Sequence, residues 1–350
     1  MDGGPAFAAR LVMEELLDEA TARKVLDKQR EWAAQGKHAG VADIVVRHSW
    51  ISIGEAKLLM DIAQPVNLLP GLRLERLVAT GGMGRVYKGV HLEQRTDVAV
   101  KILHPRLARR PDSLAEFTIE ANLLVQLEHP AIVKGYYLHE HEGLHYLVME
   151  WVRGGSAAEE LEAKGRLDEG RALAIVVEAA RALAHLHEQG LVHRDVKPAN
   201  ILLGPNGVVK LCDLGLVVRS GSASGETTSG TKAYFAPEQA RGDGLDARAD
   251  IYSLGVTLYH LVVGSLPFGD GTDEEAMARR LLDELRSPAL KALGISQRVH
   301  YFIQKMMALD PAVRYQSPAA LAEDISAQLR VSSPPSSGKV RSDMRTRRNP

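Results

Sequence analysis

The sequence predicts an α+β protein of two lobes, a small β-rich lobe followed by a larger helical one, preceded by a small all-helical domain. Three observations lead there. From about Pro5 to Gln64 the apolar residues recur with helical spacing; from about Leu72 the text turns to short β-branched runs around one amphipathic helix; after Gly154 it becomes mainly helical. The expected division is a helical domain at residues 1–68, the β-rich lobe at 72–152, the helical lobe at 153–331 and a tail at 332–350.

The first stretch repeats itself. Leu11-Val12, Leu16-Leu17-Asp18 and Val25-Leu26 align at a constant offset with Val45-Val46, Trp50-Ile51-Ser52 and Leu59-Met60, which places Asp18 and Ser52 as helix N-caps. Two helix–turn–helix copies would bury each other's apolar faces, with Trp32 and Trp50 as core anchors, and Pro65 and Pro70 mark a short linker. Strands are expected at 85–91, 97–103 and 144–151, with a helix near 113–127. His139, His141 and His145 lack a helical ligand spacing and read as a solvated hairpin, not a metal site. Further helices are expected at 171–189, 250–263 and 299–309, and Leu254–Phe268 reads as a buried helix ending at a turn. The Ser-, Pro- and Arg-rich end from Ser332 is expected to be a disordered tail, its cations solvated.

Composition narrows the function classes. The 350 residues carry 43 Lys and Arg against 44 Asp and Glu, a net charge of −1, which disfavours a generic nucleic-acid coat. One cysteine, Cys212, excludes an intrachain disulfide and fits a reducing compartment. The N-terminus lacks a signal-peptide pattern and no apolar run reaches membrane-spanning length, so a cytoplasmic protein is expected.

The chemistry-bearing motifs begin with Gly81, Gly82 and Gly84, set between two strand-like runs. Without Cβ atoms, backbone N–H groups can approach a phosphate chain closely. Alone, these glycines are equally a hairpin turn. A strand follows them, where a dinucleotide fold would need a helix, and Gly-Lys-Ser/Thr is absent. Lys101 ends the next apolar strand, and Glu120 sits on the apolar side of the following helix, where an unpaired carboxylate is costly. An ion pair between them would solve both problems. Further on, one short run delivers Asp195, Lys197 and Asn200, and a second ends at Cys212-Asp213-Leu214-Gly215. Two acids and an amide on neighbouring loops suit a magnesium–nucleotide site.

In this order and spacing the motifs resemble the bacterial, eukaryotic-like (Hanks-type) serine/threonine protein kinases, over roughly Leu72 to Val331. The resemblance implies a protein-kinase fold, ATP as phosphate donor and Mg²⁺, or Mn²⁺ in its place. By the same resemblance Gly81, Gly82 and Gly84 cover the phosphates, Lys101 contacts them and Glu120 holds Lys101. Asp195 accepts the substrate hydroxyl proton, Lys197 stabilises the transferring phosphoryl group, and Asn200 and Asp213 hold the metal. Val78, Val86, Ala99 and Leu202 would sandwich the adenine, with Met149 behind it and Glu150 and Val152 bonding its edge; simple core packing is the parallel reading of those four. The segment from Gly230 and Thr231 to Glu238 resembles a platform for a peptide substrate, and Thr231 with Lys197 the Ser/Thr-specific branch. Asp250 resembles the acid bracing the catalytic loop, and Arg314 the partner of Glu238.

Three positions depart from the family pattern: Ala79 for the first loop glycine, Leu214 for phenylalanine and Ala157 for leucine. Ser220, Ser222, Ser224, Thr227, Thr228 and Ser229 make the intervening loop a candidate for autophosphorylation, with Arg194 as a phosphate partner. Expected partners are protein substrates and a protein bound by the helical domain, which is read as docking or regulatory, and no nucleic acid. Two rival readings remain: a nucleotide-binding scaffold acting through the helical domain, and a small-molecule phosphotransferase. Both predict no phosphate incorporation into protein.

Overall fold

A computed structural model describes residues 4–63, 65, 68–215, 217–219, 232–267 and 293–331. The chain opens with four helices, α1 (Pro5–Met13), α2 (Glu19–Ala34), α3 (Val41–Arg47) and α4 (Ile53–Met60). Both expected caps are present: Asp18 accepts from the Thr21 amide at 2.7 Å. Ser52 accepts from the Glu55 amide at 3.0 Å while Glu55 reaches back to the Ser52 amide at 2.6 Å. The repeat extends to the backbone, since the equivalent residues Glu15 and Ser49 both turn through the left-handed region, at φ 56° and 55°. Leu11, Val25, Val41, Ile44 and Leu59 close one core between the copies, and Trp32 and Trp50 pack partly buried against it.

Five antiparallel strands follow, β1 (Leu72–Thr80), β2 (Gly84–His91), β3 (Thr96–Leu103), β4 (Gly135–His141) and β5 (Leu144–Glu150), in spatial order β1-β2-β3-β5-β4. Between β3 and β4 lie the short α5 (Pro105–Ala108) and α6 (Pro111–Gln126). The edge strands β1 and β4 are the two that the β-branched runs did not reveal. An edge strand buries less of its length and tolerates charge, so its apolar signal is weak. The histidine expectation needs correcting in one respect. His139 and His141 lie within β4 and His145 within β5, and the tip at Glu142 and Gly143 packs on the helical domain, with Glu142 paired to Lys57 at 2.9 Å. A Cβ on Gly143, which also has φ +79°, would meet Ser52 at 2.8 Å, so only glycine fits there. Among the described residues no group of three or more His, Cys, Asp or Glu is placed to hold a metal ion.

Alternation gives the sheet two faces. Tyr87, Val98, Val100 and Ile102 join Leu58 of α4 and Leu68 and Leu69 of the linker in an outer core, so the helical domain covers that face. Leu103 and Leu147 belong to the main core, shared with Phe117 and Leu124 of α6 and with the second lobe.

That lobe contains α7 (Ala157–Lys164), α8 (Glu169–Glu188), α9 (Pro237–Arg241), α10 (Ala247–Val263), α11 (Gln297–Met306) and α12 (Pro318–Val331). Two small antiparallel sheets pair β6 (Leu191–Val192) with β9 (Val218–Arg219) and β7 (Ile201–Leu203) with β8 (Val209–Leu211). The buried α10 ends at Gly264, φ +89°, the turn expected after Leu254. The short α7 and the final α12 were not foreseen. Among the described residues no helix is long and apolar enough to cross a membrane. Phe268 and the expected tail from Ser332 lie outside the described residues.

Arg314 and Glu238 form the bidentate pair anticipated from their positions, at 2.6 and 2.9 Å, and the Arg314 side chain is wholly buried. Removing one partner strands a buried charge. Arg314→Met is therefore expected to lower unfolding stability by about 3–5 kcal/mol in urea titration; a loss below about 1 kcal/mol would mean that the pair is weakly desolvated.

Candidate active site

The site is assembled where the inner face of the sheet meets α6 and the loops of the second lobe. Lys101 is paired with Val86 on β2 and Leu147 on β5, so its side chain leaves the inner face. Its ammonium lies 2.7 Å from Glu120 of α6 and 3.4 Å from Asp213 after β8. Glu120 is only 5% exposed, whereas the Asp213 side chain is 47% exposed. Burial alone would lower the Lys101 ammonium, but the Asp213 and Glu120 carboxylates outweigh it and raise its pKa. The Asp213 carboxyl is likewise pulled below the usual carboxylate range, burial being overcome by Lys101 and then His193. Burial pushes the Glu120 carboxyl up, and the Asp213 charge adds to that against the pull of Lys101.

The second cluster is the loop after β6. Asp195 accepts from Lys197 at 2.7 Å and from the Asn200 side-chain amide at 2.9 Å; that same amide nitrogen donates to the Asp195 carbonyl at 2.8 Å. Asn200 therefore uses its nitrogen for the loop, while its oxygen, which can only accept, makes no hydrogen bond among the described residues. The loop itself hangs on Asp250 of α10, whose two carboxylate oxygens accept the His193 and Arg194 amides, each at 2.8 Å. Burial raises the Asp250 pKa, against the pull of His193 and those two bonds. The bracing function expected of Asp250 is thus present as geometry.

The four apolar residues expected around a ring are not equally core. Ala99 is buried, Val86 and Leu202 are half-buried, and Val78 is 39% exposed. Alternation from Tyr87 and Val98 places Val86 and Ala99 on the Lys101 face of the sheet. Met149 pairs with Ala99, the Glu150 amide bonds the Lys134 carbonyl at 2.9 Å, and Val152 is buried just beyond. The Glu150 carboxylate is held by Lys210 at 2.9 Å.

The glycines divide by cause. A Cβ on Gly84 would meet the Ile102 carbonyl at 2.2 Å, so the β2–β3 approach demands it, whereas Gly82 faces open space. Gly81 has no neighbour nearer than 3.9 Å. Only the first two are left to the open cleft. Leu214 is buried in the cluster that holds Phe117 and Leu124, and Ala157 is wholly buried behind the Ser156 cap, so both departures pack. Ala79 lies at a register shift between β1 and β2.

Gly230, Thr231 and the six candidate phosphorylation residues lie outside the described residues. The Arg194 guanidinium, expected as a phosphate partner, is buried with Nε and Nη2 unpartnered among the described residues, and burial lowers its pKa. Two features escaped sequence reasoning. His104 bonds the loop twice, through Nε2 to the Gly81 carbonyl at 2.9 Å and through its amide to the Met83 carbonyl at 3.0 Å. Arg106, Arg109 and Arg110 grip the helical domain; the basic run before Pro111 was the available signal.

The family described as protein kinase domain matches residues 72–325. The chain is similar to the serine/threonine-protein kinase PknB of Mycobacterium tuberculosis, 35% identical over 288 residues, covering 80% of this chain and 46% of that protein. It is also similar to PknJ of Mycobacterium bovis, 36% identical over 273 residues (75% and 46%), and to the probable serine/threonine-protein kinase pknA2 of Bifidobacterium longum, 33% identical over 274 residues (76% and 36%). The chain thus spans less than half the length of these relatives.

Cys212 donates through Sγ to the Asn200 carbonyl at 3.4 Å, and burial pushes its thiol pKa up. Iodoacetamide at neutral pH is expected to leave the native protein unlabelled and to label one thiol per chain in urea; rapid native labelling would contradict this environment.

Proposed function

Because the chain belongs to the protein kinase domain family, in its bacterial Hanks-type serine/threonine branch, we propose that it transfers the γ-phosphate of ATP to serine and threonine hydroxyls of proteins. The observation that carries this reading is the assembly of Lys101, Glu120 and Asp213 on one side with Asp195, Lys197 and Asn200 on the other, drawn from distant parts of the chain. We divide the kinase region as residues 72–152 and 153–331, with residues 1–68 as a separate helical domain in front.

The roles follow from charge and reach. Lys101, held by Glu120, offers its ammonium to the donor phosphates, and the open backbone at Gly81 and Gly82 covers them. The adenine fits against Val78, Val86, Ala99 and Leu202, with Met149 behind and the backbone of Glu150 and Val152 at its edge. Asp195 orients the acceptor hydroxyl and takes its proton as the oxygen attacks the γ-phosphorus and ADP departs. Lys197, already at the Asp195 carboxylate, neutralises charge on the transferring group.

Two lysines face three carboxylates here, so the site suits a divalent cation: Asp213, deprotonated and half exposed, and the spare Asn200 oxygen would hold Mg²⁺. Bound there, the ion supplies charge neutralisation and orientation of the phosphates. Thr231 is assigned to the acceptor side of the site by family position alone. A cytoplasmic setting for the reaction accords with the lone cysteine.

The Arg194 Nε and Nη2, without a partner among the described residues, support a further part of the reading, phosphorylation of the loop between Gly215 and Gly230. A phosphate would give those buried donors the acceptor they lack. Mass-spectrometric mapping of active protein is expected to find phosphate on one or more of Ser220, Ser222, Ser224, Thr227, Thr228 and Ser229. An active enzyme unmodified throughout that segment would contradict it.

Asp195→Asn and Lys101→Met are expected to cut ATP-dependent phosphorylation of a generic basic protein by about a hundredfold or more; Asp195→Asn keeps a thermal midpoint near that of the parent, whereas Lys101→Met stays folded with a lowered midpoint because it strands Glu120. Full activity in Asp195→Asn would remove the assigned proton acceptor.

A further inference from the structure

The four-helix domain grips the kinase at the elements that carry its nucleotide site. The grip centres on Arg109, between α5 and α6. Its guanidinium donates to the Trp50 carbonyl at 2.9 Å, to the Leu16 carbonyl at 3.4 Å and to both Glu55 oxygens at 3.2 and 3.3 Å. Leu16 and Trp50 are equivalent positions in the two sequence repeats, each directly after a left-handed residue. The repeat thus turns two matching carbonyls onto one arginine, with the Glu55 carboxylate completing the socket. Around it Arg106 pairs with Glu15 at 2.7 Å and Arg110 approaches the same carboxylate at 3.6 Å.

A second grip holds the phosphate-loop strand. Arg85, next to Gly84, is 6% exposed and pairs with Glu14 at the end of α1. Tyr87 on the same strand donates to the Ile62 carbonyl at 2.9 Å. The start of α5 then ties the two together, since His104 bonds the carbonyls of Gly81 and Met83.

We propose that the helical domain is an intramolecular brace that sets α6, and with it Glu120, in the arrangement that pairs Lys101, and that Arg109 is its principal positioning residue. This rests on the kinase reading of the site. The direction of the effect comes from the geometry: with the domain docked, Lys101 and Glu120 stand 2.7 Å apart, so docking accompanies the competent arrangement and not a withdrawn α6. A guanidinium forks to several acceptors at once and an ammonium does not, so Arg109→Lys is expected to behave like Arg109→Ala.

The test uses the full-length chain with Arg109→Ala, Arg109→Lys, and the charge reversals Arg106→Glu and Glu15→Arg, singly and together. Three readouts are taken: KM for ATP against kcat, affinity for a fluorescent ATP analogue, and amide exchange through α6. The brace predicts a rise in KM of roughly three- to tenfold for either Arg109 variant, the fold-change of a coupling of ordinary size, with faster exchange in α6. It also predicts that the double reversal recovers most of what each single reversal loses. A pair that merely adds stability would lower the melting temperature without moving KM. Unchanged KM and α6 exchange in an active Arg109→Ala protein would overturn the proposal, and so would increased activity, which would make the domain a restraint. If the parent transfers no phosphate to protein, the kinase reading fails, while analogue affinity and α6 exchange still decide the brace.

Discussion

The structure depends on one ion pair. Lys101 and Glu120 come from a strand and a helix that also share an apolar core, but the ion pair alone fixes which polar groups meet, and each is buried enough that losing the other would strand a charge at a cost of about 3–5 kcal/mol. Their pairing fixes α6 against the sheet, and the approach of Asp213 to the same ammonium brings in the second lobe. The rest of the site is organised around keeping these three in place. Leu214, directly after Asp213, is buried in the same core as Phe117 and Leu124 of α6, and Asp250 holds the loop that carries Asp195.

The helical domain extends that constraint outward. An exposed sheet face with Tyr87, Val98, Val100 and Ile102 on it would need cover, and Leu58, Leu68 and Leu69 supply it from the same chain. Cover alone would not need an arginine in a carbonyl socket or a buried Arg85–Glu14 pair, and both of these end next to α6 and the Gly81–Gly84 turn. Apolar burial provides the adhesion and the directional polar contacts provide the register.

Much of this was legible in the sequence because motif spacing and chemical need coincide. Glu120 on an apolar helix face called for a cation, and Lys101 was the one that the strand order offered; the repeat offset located Asp18 and Ser52 as caps. The edge strands β1 and β4 were not legible, since their burial is partial and their composition mixed. The need for glycine at position 84 that the Ile102 carbonyl sets was not legible, because only a paired strand reveals it. The docking of the histidine-bearing hairpin on α4 and the convergence of Leu16 and Trp50 on Arg109 are long-range facts, set by how two units pack and not by any local pattern.

The central claim is that these six polar groups form a working phosphotransfer site for protein hydroxyls. It is tested most directly by incubating the parent protein and Asp213→Asn with γ-labelled ATP, Mg²⁺ and a basic protein acceptor, followed by phosphoamino-acid analysis. The account predicts labelled phosphoserine or phosphothreonine with the parent and background with the variant. No labelled protein from a parent that binds the nucleotide, or equal labelling by both, would contradict it.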